Sequence, residues 1–553
     1  VKLFGRFLFL CAAGVALLAA TWSPARAELK PLLVVSVAGV DEVLADVKYV
    51  TKASGVEGAG TTAEFFGKAY TNGVDRKRPI GVIVAPKGPG EFIAVSFIPV
   101  SDLKAVLDTL KEPVGEAKDA GDGVLELPAG PKSVFIKEVN GWAFVAQEKE
   151  HLAELPADPV ALLGTLPKDY TMAVKVNLQN LPAELKKMIA DQMRMGLSQA
   201  LENAPAEGGV DREFQEKMGR IYVENFIRIL DETEEVVVGL QIDAAGQRTF
   251  LDIAQTAVAG TRMAKQLEAL ANTKSAYSAF LMPEAAVSFN ASGTVAKEDL
   301  DQLKAMMDGV KANALKDLDN NPDLDATRRA AAKELLGGFI DVVMKTFEEG
   351  KIDGGATLLL EPKSLNFVAG GVVADGPRIE ALLKKLAEVA KDEPEAPEIK
   401  LGAGQHGGIT LHKITGPIPE GEKDAREILG DKLNFVVGTG PKSVYVSFGK
   451  DAEGLLKKMI DQVTQKGPAQ VPPSQLNVAL LPILKFAASV DENPIVPALV
   501  SVLEKSGKDK ITLVTEPRPR GSNTRILVEE GVLQLIGEGI KQAGLGGGGP
   551  PAF

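Results

Sequence analysis

Cysteine is nearly missing from this 553-residue chain, with one at Cys11, and histidine is scarce, with three at His151, His406 and His412. One thiol makes no intrachain disulfide, no Cys-based zinc site and no cysteine-ligated iron–sulfur cluster. Three imidazoles leave little material for acid–base or metal chemistry. Aromatic residues are 5% of the chain and include two tryptophans, Trp22 and Trp142, too few for the stacking platforms that sugar sites favour. Long apolar runs are also wanting. Phe7–Ala20 is one, but it falls short of the roughly 20 residues that a membrane-spanning helix needs, and no other stretch comes nearer. The strings G-x-S-x-G, G-x-x-x-x-G-K-[ST] and H-E-x-x-H are absent, which removes the commonest hydrolase, phosphate-loop and zincin signatures.

What is present at the start reads as an address. Lys2 and Arg6 precede the apolar run, and Ala25-Arg26-Ala27 supplies a small-x-small cleavage pattern before Glu28. Residues 1–27 are therefore expected to be a signal peptide, cleaved near Ala27, leaving a periplasmic or extracellular protein with no transmembrane segment. Leu8-Phe9-Leu10 are bulky where a lipoprotein signal wants small residues, which argues against lipidation at Cys11. Loss of Lys2, Arg6 and Arg26 with the leader would move the net charge from −12 to −15. A protein of that sign has no field with which to gather nucleic acid or anionic lipid. Basic pairs such as Lys384-Lys385 alternate with Leu at helical spacing and read as solvated helix faces.

With 45% hydrophobic and 25% charged residues the composition is that of a globular protein. Four segments share one order of elements. Each opens on an apolar strand, expected at Leu32–Ala38, Met172–Leu178, Ala285–Ala291 and Leu476–Ala488. One or two helices follow, then two strands around a Gly- or Pro-containing turn, then a helix. Between the first and second segments lies a smaller piece, Gly123–Leu155, with a hairpin at Asn140-Gly141; Gly408–Ile460 is its counterpart further on. The expectation is an α+β fold of repeated β-α-β-β-α units, mostly antiparallel sheets with helices packed on one face. Two similar halves follow, 28–273 and 277–546, with a flexible Gly/Pro tail at 547–553. Locally, Thr61-Thr62-Ala63-Glu64 fits a capping box and Ser101 a helix cap. A long helix is expected from Asp325 to Glu349. Pro394, Pro397 and Pro472 mark linkers.

Each chemical motif has a plainer reading. Gly402, Gly404 and Gly407 match G-x-G-x-x-G, but a strand follows where a dinucleotide site needs a helix N-terminus, so a flexible loop is expected. Ser101 and Lys104 match S-x-x-K without the accompanying S-D-N or K-T-G. Asp317, Asp319, Asn321, Asp323 and Asp325 alternate as in a calcium loop, yet Pro322 and Arg328 stand where that loop needs Gly and Glu. Asp323 or Asp325 would then cap the next helix. His406 and His412 would need to meet across a turn, with a carboxylate, to bind zinc, and otherwise sit on a Gly-rich loop and a strand face. His151 reads as solvated. Adjacent acids such as Glu234-Glu235 and Glu348-Glu349 do not oppose one another across a cleft as glycoside hydrolysis requires. No catalytic, cofactor-binding or metal residue is assigned.

In its leader and its tandem strand-helix-hairpin-helix order the chain resembles a broad group of exported bacterial proteins of unknown function. That likeness implies an exported α+β protein and transfers no catalytic residue. The functional expectation is a non-enzymatic envelope or extracellular protein with a macromolecule-binding or scaffold role and a protein or cell-envelope partner. The alternatives are a periplasmic carrier of an apolar ligand and an acid-dependent hydrolase.

Overall fold

The computed structural model describes residues 30–542 apart from 89–90, 130–131, 154, 204–211, 323, 392–395, 420 and 492. Residues 1–27, where a signal peptide is expected, with Cys11, and the tail 547–553, Asp323 and Pro394 lie outside the described residues. The fold is mixed α+β, with sixteen helices and 22 mostly antiparallel strands among the described residues, none of the helices long and apolar enough to cross a membrane.

The first segment runs β1 (Leu33–Val37), α1 (Val40–Ala53), α2 (Glu57–Tyr70), β2 (Ile80–Gly88), β3 (Glu91–Pro99) and α3 (Leu103–Val114). Then come β4 (Val124–Ala129), β5 (Lys132–Val139) and β6 (Trp142–Ala146). The second segment is β7 (Met172–Asn177), α4 (Ala183–Asn203), α5 (Arg212–Glu232), β8 (Thr233–Asp243), β9 (Arg248–Ala257) and α6 (Arg262–Ala269). The third is β10 (Val287–Thr294), α7 (Lys297–Asn320), α8 (Ala326–Glu348), β11 (Lys351–Glu361), β12 (Ser364–Val372) and α9 (Gly376–Ala390). β13 (Glu398–His406), β14 (Ile409–Pro417), α10 (Lys423–Leu429), β15 (Lys432–Thr439), β16 (Ser443–Gly449) and α11 (Ala452–Lys466) follow. The last is β17 (Ser474–Ala479), α12 (Leu480–Val490), α13 (Val496–Ser506), β18 (Lys510–Arg518), β19 (Gly521–Glu529) and α14 (Glu530–Gln542).

Several local expectations need correction. α2 begins at Glu57, one turn before the supposed capping box, and Thr62 Oγ1 instead donates back to Gly58 O. Asp102, not Ser101, caps α3 by accepting from Ala105 N; Ser101 Oγ donates to Gly73 O. The strand expected over Leu476–Ala488 becomes a helix at Leu480. The Gly-rich stretch is not a loop: Gly402 and Gly404 lie in β13, and the turn is Gly407-Gly408, both at positive φ, which Gly adopts without steric cost. The Asn140-Gly141 hairpin forms as its sequence dictates, with φ of 51° and 72°.

The chain divides into two compact units. Unit 1 comprises the described parts of Val1–Asp191, Ile227–Met263 and Asn523–Phe553. Its sheet runs β4-β5-β6-β3-β2-β1-β7-β8-β9, with β19 beside β9. One face packs Val34, Ala173, Val237 and Ala254 against Phe97, Trp142, Phe144, Leu163 and Leu166. Each fully buried large side chain there contributes about 1.5–3 kcal/mol. Helix α1 passes from the end of β1 to the end of β19: Asp41 pairs with Arg76, Asp46 bonds Thr171 just before β7, and Tyr49 bonds Glu530 just after β19.

Unit 2 comprises Gln192–Phe226 and Ala264–Ser522. Its sheet runs β13-β14-β15-β16-β12-β11-β10-β17-β18. Leu411, Val436, Tyr445 and Val368 on one face pack under Leu456, Met459 and Ile460 of α11. Alternation turns His412 and Val437 to the opposite face, where both are buried and α9 packs against β13 and β15. Helices therefore cover both faces of this sheet, not one as expected.

Candidate functional site

A sheet with one face on a core and one in water alternates apolar and polar residues, whereas a continuous apolar run implies cover on both faces. The strands of unit 1 are of the second kind: LVVSV, MAVKVN and VVVGL carry apolar residues on both parities. On β7, β8 and β9 only one parity reaches the core, whereas further along the sheet the other is buried too, at Val82 on β2 and at Ile136 and Ala143 beneath α3. On that other parity, Val35, Val174, Val238 and Ile253 stand opposite one another across β1, β7, β8 and β9. Of these, Val174, Val238 and Ile253 remain 38%, 40% and 42% exposed in mid-sheet. The adjoining row, Val37, Met172, Leu240 and Leu251, is equally free of charge. Contiguous apolar exposure of this kind makes the face a candidate binding surface.

Unit 2 has a corresponding apolar surface built with aromatic rings and partly covered by helices. Leu476, Phe289, Ala356, Ala369 and Val446 form one cross-strand row, with Phe289 39% exposed. Val478, Val287, Leu358, Phe367 and Phe448 form the next, and the rings of Phe367 and Phe448 lie 5.3 Å apart. Helix α12, LLPILKFAASV, packs against β11, yet none of its residues is fully buried. A helix apolar all round is normally buried.

The opposite parity carries buried polar networks. In unit 2, Asp353 Oδ1 accepts from Ser275 Oγ at 2.6 Å and Oδ2 from Ala276 N at 3.0 Å, with Lys351 Nζ at 3.6 Å. Ser275 Oγ in turn accepts from Asn290 Nδ2 and Tyr277 N. A Ser–Asp contact invites a nucleophilic reading, but this hydroxyl is wholly buried and engaged in three hydrogen bonds, so it fixes structure. In unit 1, Arg525 grips Asp252 through two bonds of 2.7 Å, Tyr170 OH adds a third at 3.1 Å, and the guanidinium stacks on Phe250. Burial alone would raise the Asp252 carboxyl; the Arg525 guanidinium outweighs it and holds the group below the ordinary carboxylate range.

The residues singled out from the sequence have structural partners. The His151 side chain is buried rather than solvated: Nε2 lies 3.2 Å from Glu148, Nδ1 has no partner among the described residues, and burial lowers its pKa. His406 Nε2 lies 2.8 Å from Asp461 Oδ1. His412 Nδ1 accepts from Gly402 N at 3.3 Å, which leaves Nε2 to donate to Thr439 Oγ1 at 2.9 Å. Burial holds the His412 imidazole below its ordinary range. Among the described residues no three His, Cys, Asp or Glu side chains gather as metal ligands. Asp319 pairs with Lys333 and Asp325 caps α8 through Arg328 N. Glu235 faces Lys175 and Glu349 faces Lys442. The open faces were not singled out from the sequence, although the two-parity apolar strands were their signal. Comparison with protein-family models, with curated proteins and with solved structures found no match.

Proposed function

We propose that this chain is an exported, non-catalytic binding protein that carries an apolar ligand on the open face of its sheets. The observation that carries this reading is the in-register row Val35–Val174–Val238–Ile253, apolar, uncharged and open to solvent in mid-sheet. Leaving such a row uncovered forfeits about 25 cal/mol for every Å² of apolar surface, which an apolar ligand would recover. A periplasmic or extracellular location follows from the leader.

The two faces also support a duplicated plan with halves 28–273 and 277–546. Element order favours it: strand, two helices, two strands, helix recurs in all four segments. Strand order favours it as well, since β6-β3-β2-β1-β7-β8 in one sheet corresponds to β16-β12-β11-β10-β17-β18 in the other. On this plan each half offers one apolar face.

The test uses N-phenyl-1-naphthylamine, a neutral probe that fluoresces on entering apolar sites. Saturable binding to the folded protein is expected, lost at least tenfold in affinity when Val174 and Val238 are both replaced by Asp. Absence of saturable binding, or an unchanged double variant, overturns the reading. A second reading, a macromolecular partner, is favoured by Met188, Met195, Tyr222 and Ile229, which are exposed along α4 and α5.

A further inference from the structure

We propose that helix α1 is a proton-sensitive element: it seats firmly while Asp46 is a neutral acid and loosens when that carboxyl ionises.

Asp46 lies mid-helix and is 8% exposed. Its Oδ2 accepts one hydrogen bond, of 2.6 Å, from Thr171 Oγ1, and Thr171 is itself buried. A hydroxyl is a neutral donor, so the carboxylate form has hydrogen-bonding support but no counter-charge. The basic side chains that form ion pairs around α1 form them with acids other than Asp46. On α1 itself, Glu42 stands one turn before Asp46 and adds like charge. On α2, Glu64 takes Lys68 and Lys48. In the connection before β2, Arg76 takes Asp41. On α14, Glu530 takes Tyr49 and Lys541 approaches Glu538. No cation among the described residues pairs with Asp46.

A buried carboxylate without a cation is costly to ionise. Both Asp46 and Glu42 are accordingly raised above the ordinary carboxylate range, in each case chiefly by burial. An acid raised in the folded state imposes no penalty while protonated. The penalty grows as pH climbs from the unfolded value through the folded one, so the cost falls on the neutral side. Its place of action is α1, which the Asp46–Thr171 bond holds to the start of β7.

Amide hydrogen exchange of residues 40–53, corrected for the intrinsic pH dependence, reads the seating of the helix directly. On the full chain, protection is expected to fall severalfold between pH 4.5 and 7.5. Asp46→Asn keeps the shape and cannot ionise; its protection should match the parent at pH 4.5 and fall clearly less than the parent's by pH 7.5, the remainder belonging to Glu42. Thr171→Val removes the single donor to the carboxylate and should deepen the loss at pH 7.5. A flat parent profile, an Asp46→Asn profile that falls as the parent's does, or a Thr171→Val profile identical to the parent's each overturns the proposal.

Discussion

Asp252 and Arg525 are 273 residues apart in sequence, yet they share the most tightly bonded ion pair of unit 1. The pair is lopsided in burial: Asp252 is 1% exposed while the Arg525 side chain keeps a wet edge. Removing the cation therefore strands a buried charge. Arg525→Met is expected to cost about 3 kcal/mol in urea denaturation at pH 7, and Asp252→Asn combined with it should return part of that loss. Because Asp252 is held below its ordinary value, its contribution is present at neutral pH and disappears as pH falls through the folded pKa. Asp46 has the opposite sign. The sequence displayed half of this arrangement: an acid inside FLDIAQ and an arginine inside TRILVE are conspicuous in apolar strands. It gave no measure of the distance between them. His151 was opaque for another reason, since EKEHLAEL looks solvated until the single 3-10 turn Lys149–Leu152 folds the imidazole inward.

At the scale of elements, signals confined to a few residues were legible and close packing was not. The Asn140-Gly141 turn and the Asp325 cap each rest on one dipeptide or one side chain with a fixed geometric role. The run LNVALLPILKFAAS was ambiguous because a continuous apolar stretch has neither the period of two nor that of 3.6. Pro482, in the first turn of α12, was the available hint of a helix. The approach of α14 to α1 left only a glycine as its trace. A Cβ added at Gly537 would lie 1.6 Å from Ser54 O, at the C-terminal end of α1. Gly537→Ala must push the two helices apart and is expected to lower stability by about 1–3 kcal/mol, read as a reduced urea midpoint at unchanged slope. An unaltered midpoint would mean that α14 does not sit where it is placed.

The whole molecule turns on how unit 1 is completed. Its β9 strand bonds β19 near the far end of the chain, and Arg525, Glu530 and Gly537 all meet residues of the first 260. The two apolar faces would otherwise suggest that residues 28–273 could stand alone. They would do so with β9 as an unpaired edge, Asp252 without its cation and α1 without Tyr49's partner Glu530. A chain ending at residue 522 is therefore expected to show early cleavage within residues 30–191 and 227–263 under limited proteolysis, while segments 264–522 keep their resistance. Adding a peptide of residues 523–542 should restore protection, because the lost contacts are confined to that segment. If the truncated chain resists protease across unit 1 as the full chain does, β19 and α14 are appendages to that unit and the long-range closure has no energetic weight.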